Sequence, residues 1–489
     1  MGETSGVDFE KSTIFINFVG DKQVSALFHA IVRYGKVTID VPEGIRIPEG
    51  VTVLVGDNGS GKTTFANILA KGRHAFGNNL SFLREGMKIK MISFSDIHTL
   101  SGLEAQYYAQ RMEATMNDLV PTVARAVGKN SLTPEWRNLC DAFGLKGAED
   151  KKVNYLSSGE LRKVLVVNAL VSRPHLLILD NPYIGLDAPS RAELDATLAS
   201  LPARGTSVLM LIADASEIPD YADAVMTMEN CRVTGLYTSA EDVGAIRQRL
   251  TVPDASENLR LPLTGRLGNM PHEISFSIRS GHARYGDKEI FSGIDWTVRK
   301  GERWVLQGPN GSGKSLLLSM VCADNPQGYA NDIILFDRRR GSGESIWEIK
   351  DAIGFVSPEM QRFYKSDKEV GDIMVQGMRN TLNRYKPATE SERSLAAEWM
   401  DTLGISHLAR RKFQELSDGE QRLVLLGAAF VRQPSLLVLD EPLHGLDRRH
   451  KQRVLQIVDR LTAKQGASLI YVTHDAAEIR PDYRIFRLR

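Results

Sequence analysis

One ordered set of short motifs occurs twice in this chain at a nearly constant offset. That doubling constrains the fold more than any other feature. The first set reads Gly56-Asp57-Asn58-Gly59-Ser60-Gly61-Lys62-Thr63, then Leu156-Ser157-Ser158-Gly159-Glu160. It continues with the apolar run Leu176–Asp180, Asn181-Pro182 and Gly185-Leu186-Asp187. The second set reads Gly308-Pro309-Asn310-Gly311-Ser312-Gly313-Lys314-Ser315, then Leu416-Ser417-Asp418-Gly419-Glu420. It continues with Leu436–Asp440, Glu441-Pro442 and Gly445-Leu446-Asp447. The Gly-rich segments lie 252 residues apart and the later motifs 260 apart. A period of that size is a duplicated domain rather than a solenoid repeat. The 489 residues hold two such domains, since single cores stop growing near about 250–300 residues.

Each repeat has the same local order. An aromatic beside a turn comes first, at Tyr34-Gly35 and Tyr285-Gly286. A β-run, Val51–Val55 or Trp304–Gln307, leads into the Gly-rich segment. A helical pattern follows, carried by Phe65, Ile68 and Leu69 or by Leu316, Leu317 and Met320. Helical insertions are expected at about 97–155 and 360–415. Two apolar strands close each repeat, the first ending in Asp180 or Asp440, the second at 207–212 or 468–473. This alternation predicts an α/β fold with a largely parallel sheet in each half. Residues 250–272 carry three prolines and little periodicity, which places the linker there. The expected domains are then 1–249 and 273–489.

Bulk properties exclude several classes. A net charge of +1 gives no general pull toward nucleic acid or anionic lipid. The three cysteines, Cys140, Cys231 and Cys322, are far apart and form no CxxC pair, so free thiols are expected. No stretch supplies the roughly 18 apolar residues of a membrane span. The first residues, MGETSGVDFE, lack the basic and apolar pattern of a secretory leader. Gly6 stands where a myristoylation signal wants Ser or Thr.

The Gly-rich motif explains its own composition. Its backbone N–H groups wrap a triphosphate only if the turn can aim them inward, and the next helix adds partial positive charge. Gly56, Asn58, Gly59, Ser60, Gly61, Lys62, Thr63 and Thr64 form the first expected nucleotide-binding set. Gly308, Asn310, Gly311, Ser312, Gly313, Lys314, Ser315 and Leu316 form the second. The lysines reach the β- and γ-phosphates, and the Thr63 and Ser315 hydroxyls face Mg²⁺. Asp180 and Asp440, at strand ends, complete the expected metal set. Glu441 can orient and deprotonate a water, an effect worth about 10²–10⁴-fold. Its counterpart Asn181 cannot accept that proton.

Together these elements resemble the ATP-binding-cassette (ABC) superfamily, with two cassettes covering nearly the whole chain. The resemblance implies an ATPase with ATP and Mg²⁺ as cofactors. Each cassette would hold a RecA-like core and a helical subdomain. The two would meet head to tail, the Gly-rich loop of one facing the signature of the other. Tyr34 and Tyr285 would then stack on adenine. His474 matches the switch histidine that contacts the γ-phosphate, and Ala213 stands in its place in the first copy. Site one would join Lys62, Thr63 and Asp180 to Ser417 and Gly419. Site two would join Lys314, Ser315, Asp440, Glu441 and His474 to Ser157 and Gly159. Only site two has a base and a switch histidine, so the expectation is hydrolysis there and ATP held as structural glue at site one. The family's glutamine loop departs in both halves. Asp96 takes its place in the first, and only Gln361 lies close in the second.

Residues 325–356 include Asn325-Pro326-Gln327-Gly328-Tyr329, Arg338–Gly341 and Ile346-Trp347-Glu348-Ile349-Lys350. This segment, with the length and the direct linker, resembles the ModF family of molybdate-transport-associated ATP-binding proteins. That resemblance implies a cytoplasmic energising subunit, on the membrane face, with separate permease subunits as partners. One chain would suffice as a monomer, because it holds both cassettes. The alternatives are a translation factor of the ABC-F kind, acting on the ribosome, and a slow ATP-gated switch. Against the ABC-F reading, the linker is short and proline-containing rather than a long charged helix. The Arg338–Gly341 turn is basic, and is either a docking point or a solvated loop whose arginines pair with nearby acids.

Overall fold

The structure is a computed structural model. It describes residues 25–27, 30–34, 37–42, 45–71, 88–93, 121–153, 156, 158–251, 259–262, 272–285, 288–309, 312–343, 345–379, 387–463 and 466–488. In the first half these build an eight-stranded sheet. Its spatial order is Ala30–Tyr34, Val37–Val41, Arg232–Tyr237, Ala224–Glu229, Val51–Val55, Ser207–Ile212, Leu176–Asp180 and Ile89–Ser93. The five strands from Ala224–Glu229 to Ile89–Ser93 run parallel; beyond them Arg232–Tyr237 is antiparallel to Ala224–Glu229, Val37–Val41 is parallel to Arg232–Tyr237, and Ala30–Tyr34 is antiparallel to Val37–Val41.

In the second half the same parallel core stands alone. Its order is Ile353–Val356, Leu436–Asp440, Ser468–Val472, Arg303–Gln307 and Arg484–Arg487. The antiparallel part is a separate four-stranded sheet built on Ile274–Tyr285 and Lys288–Arg299.

The parallel strands read as unbroken apolar runs because both faces are covered. Alternation still sorts their side chains. Val51, Val53 and Val55 point into one core, while Leu54 points into the other. Leu437 and Leu439 divide from Leu436 and Val438 in the same way. Each Gly-rich loop therefore leaves the end of a rigid central strand. It enters the helix Lys62–Lys71 or Lys314–Val321.

The 250–272 segment lies partly outside the described residues. Of its described part, Leu259 is buried in a second-half core, and Gln433 donates a 3.0 Å hydrogen bond to the Pro262 carbonyl. Cys140, Cys231 and Cys322 are free thiols. The basic turn follows the solvated-loop reading. Arg338 pairs with Glu348 and Arg339 with Asp332, and Arg340 lies buried over the Tyr329 ring. Among the described residues no helix is long and apolar enough to cross a membrane.

Candidate nucleotide sites at the interface of the two halves

The two Asp-ending strands are equivalent in register. Asp180 pairs with Leu211 and Asp440 with Val472. The next residue bonds to the same strand in each half: Asn181 N–H to the Leu211 carbonyl at 3.1 Å, Glu441 N–H to that of Val472 at 2.9 Å. Asn181 and Glu441 share a left-handed backbone, at φ 51° and 47°. Two residues beyond Leu211 and Val472 stand Ala213 and His474. The structure thus keeps one backbone and changes only the side chains.

At the first Gly-rich loop, Gly61 has φ 97°, which a side chain rarely adopts. Lys62 Nζ turns back onto the loop and donates to the carbonyls of Gly56 (2.6 Å) and Asp57 (2.9 Å). Burial pushes its pKa down to about 8, against the opposing pull of Asp180, Asp447 and Asp57. Such a buried ammonium, whose neighbouring carboxylates do not offset its burial, fits an arriving triphosphate. Thr63 Oγ1 donates to Asp180 Oδ2 at 2.8 Å, so the two expected metal ligands share one spot. Ser60 is buried beside Lys62, and Thr64 follows on the helix.

The second half lies directly against this loop. Asn58 N–H donates to Asp447 Oδ2 at 3.0 Å. A Cβ on Gly419 would sit 2.3 Å from Asn58 Nδ2, and one on Gly59 2.7 Å from Glu420 Oε1. The signature glycine is therefore glycine for contact with the opposite loop. Ser417 caps its helix by a capping box with Glu420, and the whole helix start faces the first Gly-rich loop.

At the second loop, Lys314 Nζ donates to the carbonyls of Gly308 (2.7 Å) and Pro309 (3.0 Å). Burial lowers its pKa too. Gly313 has φ 92°. The Leu316 side chain is packed in the core. From the first half, Asp187 approaches. Its carboxylate accepts from Ser190 N–H at 3.0 Å. Burial opposes its charge, but that bond and the nearby His474 and Lys314 hold its pKa below the ordinary value. Ser157, Asn310 and Gly311 lie outside the described residues, as do the side chains of Tyr34 and Tyr285 and residue Asp96. Gly159 is buried against Ser190.

Glu441 is held at both oxygens. His474 Nε2 lies 3.1 Å from Oε1, and His444 Nδ1 lies 2.9 Å from Oε2. Burial opposes the charge on Glu441, yet the two histidines hold its pKa well below the carboxylate range. Asp440 goes the other way: burial first, and the Glu441 charge second, push it up to about 7. One carboxylate is thus poised ionised beside one that welcomes a cation.

Several contributors were not singled out by motif reading. Arg422 donates to the Glu441 carbonyl at 2.5 Å and to Gln361 Oε1 at 2.8 Å. Its counterpart Arg162 donates to the Pro182 carbonyl at 2.6 Å and to that of Ile184. Both arginines sit at the same 260-residue offset, so the repeat itself carried the signal. Gln361 also donates to the Asp418 carbonyl at 2.6 Å, which ties it to the signature helix. Lys451 crosses to the first half, reaching Asp214 at 2.7 Å and Glu217 at 3.6 Å. His444 accepts from Gly185 N–H of the first half at 3.0 Å.

Comparison with known proteins agrees with this geometry. The family profile described as ABC transporter matches residues 45–184 and 291–444. The ABC transporter ATP-binding protein ModF of Escherichia coli (strain K12) is 34% identical over 87% of this chain and 88% of its own length. An uncharacterized ABC transporter ATP-binding protein of Schizosaccharomyces pombe is 27% identical over 81% of this chain and 83% of its own. Among solved structures, a ribosome-bound archaeal ABCE1 shares the fold. Its TM-score is 0.58 at 20% identity, over 94% of this chain and 76% of that one. The matched profile, the relative's identity and the doubled cassette geometry establish that this chain belongs to the ABC transporter ATP-binding family, as a tandem-cassette ATPase resembling ModF.

Proposed function

We propose that this ATPase works with two unequal composite sites. Site two, on Lys314, Ser315, Asp440, Glu441 and His474 with Ser157 and Gly159 of the first half, hydrolyses ATP. Site one, on Lys62, Thr63 and Asp180 with Ser417 and Gly419, binds ATP and holds the halves together. The observation that carries this reading is the contrast at one backbone position: Glu441 is bracketed by two histidines. Asn181 instead turns its amide onto Asp180 at 3.1 Å.

In site two Glu441 takes the proton of the attacking water, and His474 fixes that carboxylate while facing the γ-phosphate. Lys314 binds the β- and γ-phosphates in place of the loop carbonyls it now touches. Mg²⁺, when bound, would screen the phosphate charge between Ser315 and Asp440, and in site one between Thr63 and Asp180. Tyr34 and Tyr285 stack on the adenines. We place the domain boundary in 250–272. Similarity to ModF supports a role as energising subunit at the cytoplasmic membrane face, with separate permease chains as partners, the single chain supplying both cassettes.

Glu441→Gln tests both levels. Steady turnover should fall about 10²–10⁴-fold while ATP remains bound at two per chain. Turnover near wild type would refute the assignment of site two. The same variant, held with ATP in cells, should co-purify a polytopic membrane protein. Recovery of ribosomes would replace transport with a role in translation, and no partner at all would leave a self-contained switch.

A further inference from the structure

His444 belongs to no motif of the nucleotide site, and its counterpart in the first half is Ile184. Its ring nitrogen Nδ1 is claimed twice. Glu441 Oε2 lies 2.9 Å away on one side, within its own half. Gly185 N–H of the opposite half lies 3.0 Å away on the other. An imidazole nitrogen is a donor or an acceptor, never both. If Nδ1 carries hydrogen, it holds the carboxylate, and Gly185 N–H meets another N–H. If Nδ1 carries a lone pair, it takes Gly185 N–H, and the carboxylate faces a lone pair and turns away. The ring and the carboxylate are largely enclosed, so each mismatch carries a cost. Glu441 keeps His474 as its second partner in both arrangements.

We propose that His444 is a positioning residue that reports closure of the two halves to the catalytic carboxylate. With the halves apart, Nδ1–H holds Glu441 Oε2 and keeps it from water. When the first half docks, Gly185 N–H takes Nδ1, and the ring carries its hydrogen on Nε2 instead. The proton leaves one nitrogen and returns at the other through water, so the ring stays neutral. Glu441 is then oriented by His474 alone, with Oε2 free to receive the water's proton. Hydrolysis is gated by docking through a single ring nitrogen. In the first half, Ile184 offers no ring nitrogen at this position, and its Cδ1 lies 3.4 Å from where a Cβ on Gly445 would be. No such gate exists there, in keeping with a site that does not hydrolyse.

The proposal rests on Glu441 being the base, so the test includes Glu441→Gln as a baseline. Three variants are compared for kcat and KM of ATP turnover, with thermal unfolding as a control on folding. His444→Ile, the first-half residue, leaves Gly185 N–H without its acceptor on docking, and should lower kcat about tenfold with KM within about twofold. His444→Asn should recover most of the rate, because its carbonyl can accept from Gly185 N–H on docking. A purely space-filling role predicts no advantage of Asn over Ile. In parallel, ¹⁵N spectra of histidine-labelled protein should show His444 with hydrogen on Nδ1 without nucleotide and on Nε2 when trapped with Mg-ADP-vanadate. Equal rates for His444→Ile and wild type, equal impairment of both variants, or one tautomer in both states would overturn the proposal. If instead Glu441→Gln turned over normally, the base assignment itself would fall.

Discussion

The first site should be convertible into a hydrolysing one, and the structure says how many changes that takes. The starting point is Glu441→Gln, which on the proposed assignment silences site two. Adding Asn181→Glu requires no change of backbone, because both positions share the left-handed conformation and the bond to the neighbouring strand. It does require a charge partner. Glu441 has His474 and His444, whereas a carboxylate at 181 would meet Ala213 and Ile184. It would also sit beside Asp180, buried at 6% exposure. Two adjacent buried carboxylates with no added cation shift one toward the neutral acid, which is useless as a base. The double variant should therefore stay at the background rate and lose about 1–3 kcal/mol of stability. Adding Ala213→His supplies the missing partner. The triple variant should then gain at least about 10²-fold over background, the lower end of general-base catalysis. That is roughly 2.7 kcal/mol off the barrier, at 1.36 kcal/mol per decade. The assay is phosphate release under saturating ATP, with unfolding temperature measured alongside, because a histidine at buried position 213 adds volume. Activity in the double variant equal to the triple would refute the need for a histidine partner. A folded but inactive triple would refute the view that the rest of site one is competent.

Three further outcomes follow from the same geometry. Lys62 has its pKa lowered to about 8 by burial, and phosphates should return it toward its ordinary value. Binding of ATP at pH 9 should then take up roughly one proton that Lys62→Met protein does not. At pH 7, where Lys62 is already charged, that difference should vanish. Titration calorimetry in buffers of different ionisation heat measures it. Lys451→Met leaves the buried Asp214 carboxylate without its cation across the interface, and should cost about 3–5 kcal/mol, with calorimetric unfolding of the halves separating into two transitions. Arg422→Ala removes the bond under Glu441 and the bond to Gln361. It should reduce kcat more than KM, whereas Arg162→Ala, in the proposed non-hydrolysing site, should leave kcat within about twofold.

Much of this molecule is legible in its sequence because the doubled motifs constrain each other. The parallel core follows from apolar runs ending in Asp, and the pairing of Ala213 with His474 follows from an offset of one residue that the strand registers reproduce. What the sequence did not convey is organised by the interface. Nothing local in Lys451 announces Asp214, and Asn58 meets Asp447 across 389 residues. His444 resembles any turn residue until the opposite Gly185 is placed beside it. The separate antiparallel sheet of the second half was also unreadable, because strand alternation fixes which face is buried but not which sheet a strand joins.

The left-handed corner at Asn181 and Glu441 has a consequence for how the two copies drift. Asparagine adopts this conformation readily, while for glutamate it carries a strain of order 1 kcal/mol or more. Substitution of Glu441 by a residue that tolerates this conformation is therefore uphill in chemistry while it relieves backbone strain. In folding free energy, Asn, Asp or Gly there would be gains. A copy released from hydrolytic duty slides toward asparagine by stability alone, and a copy that retains glutamate does so against that slope. The residue at this corner thus serves as a record of which cassettes in such tandem chains are still under selection for turnover.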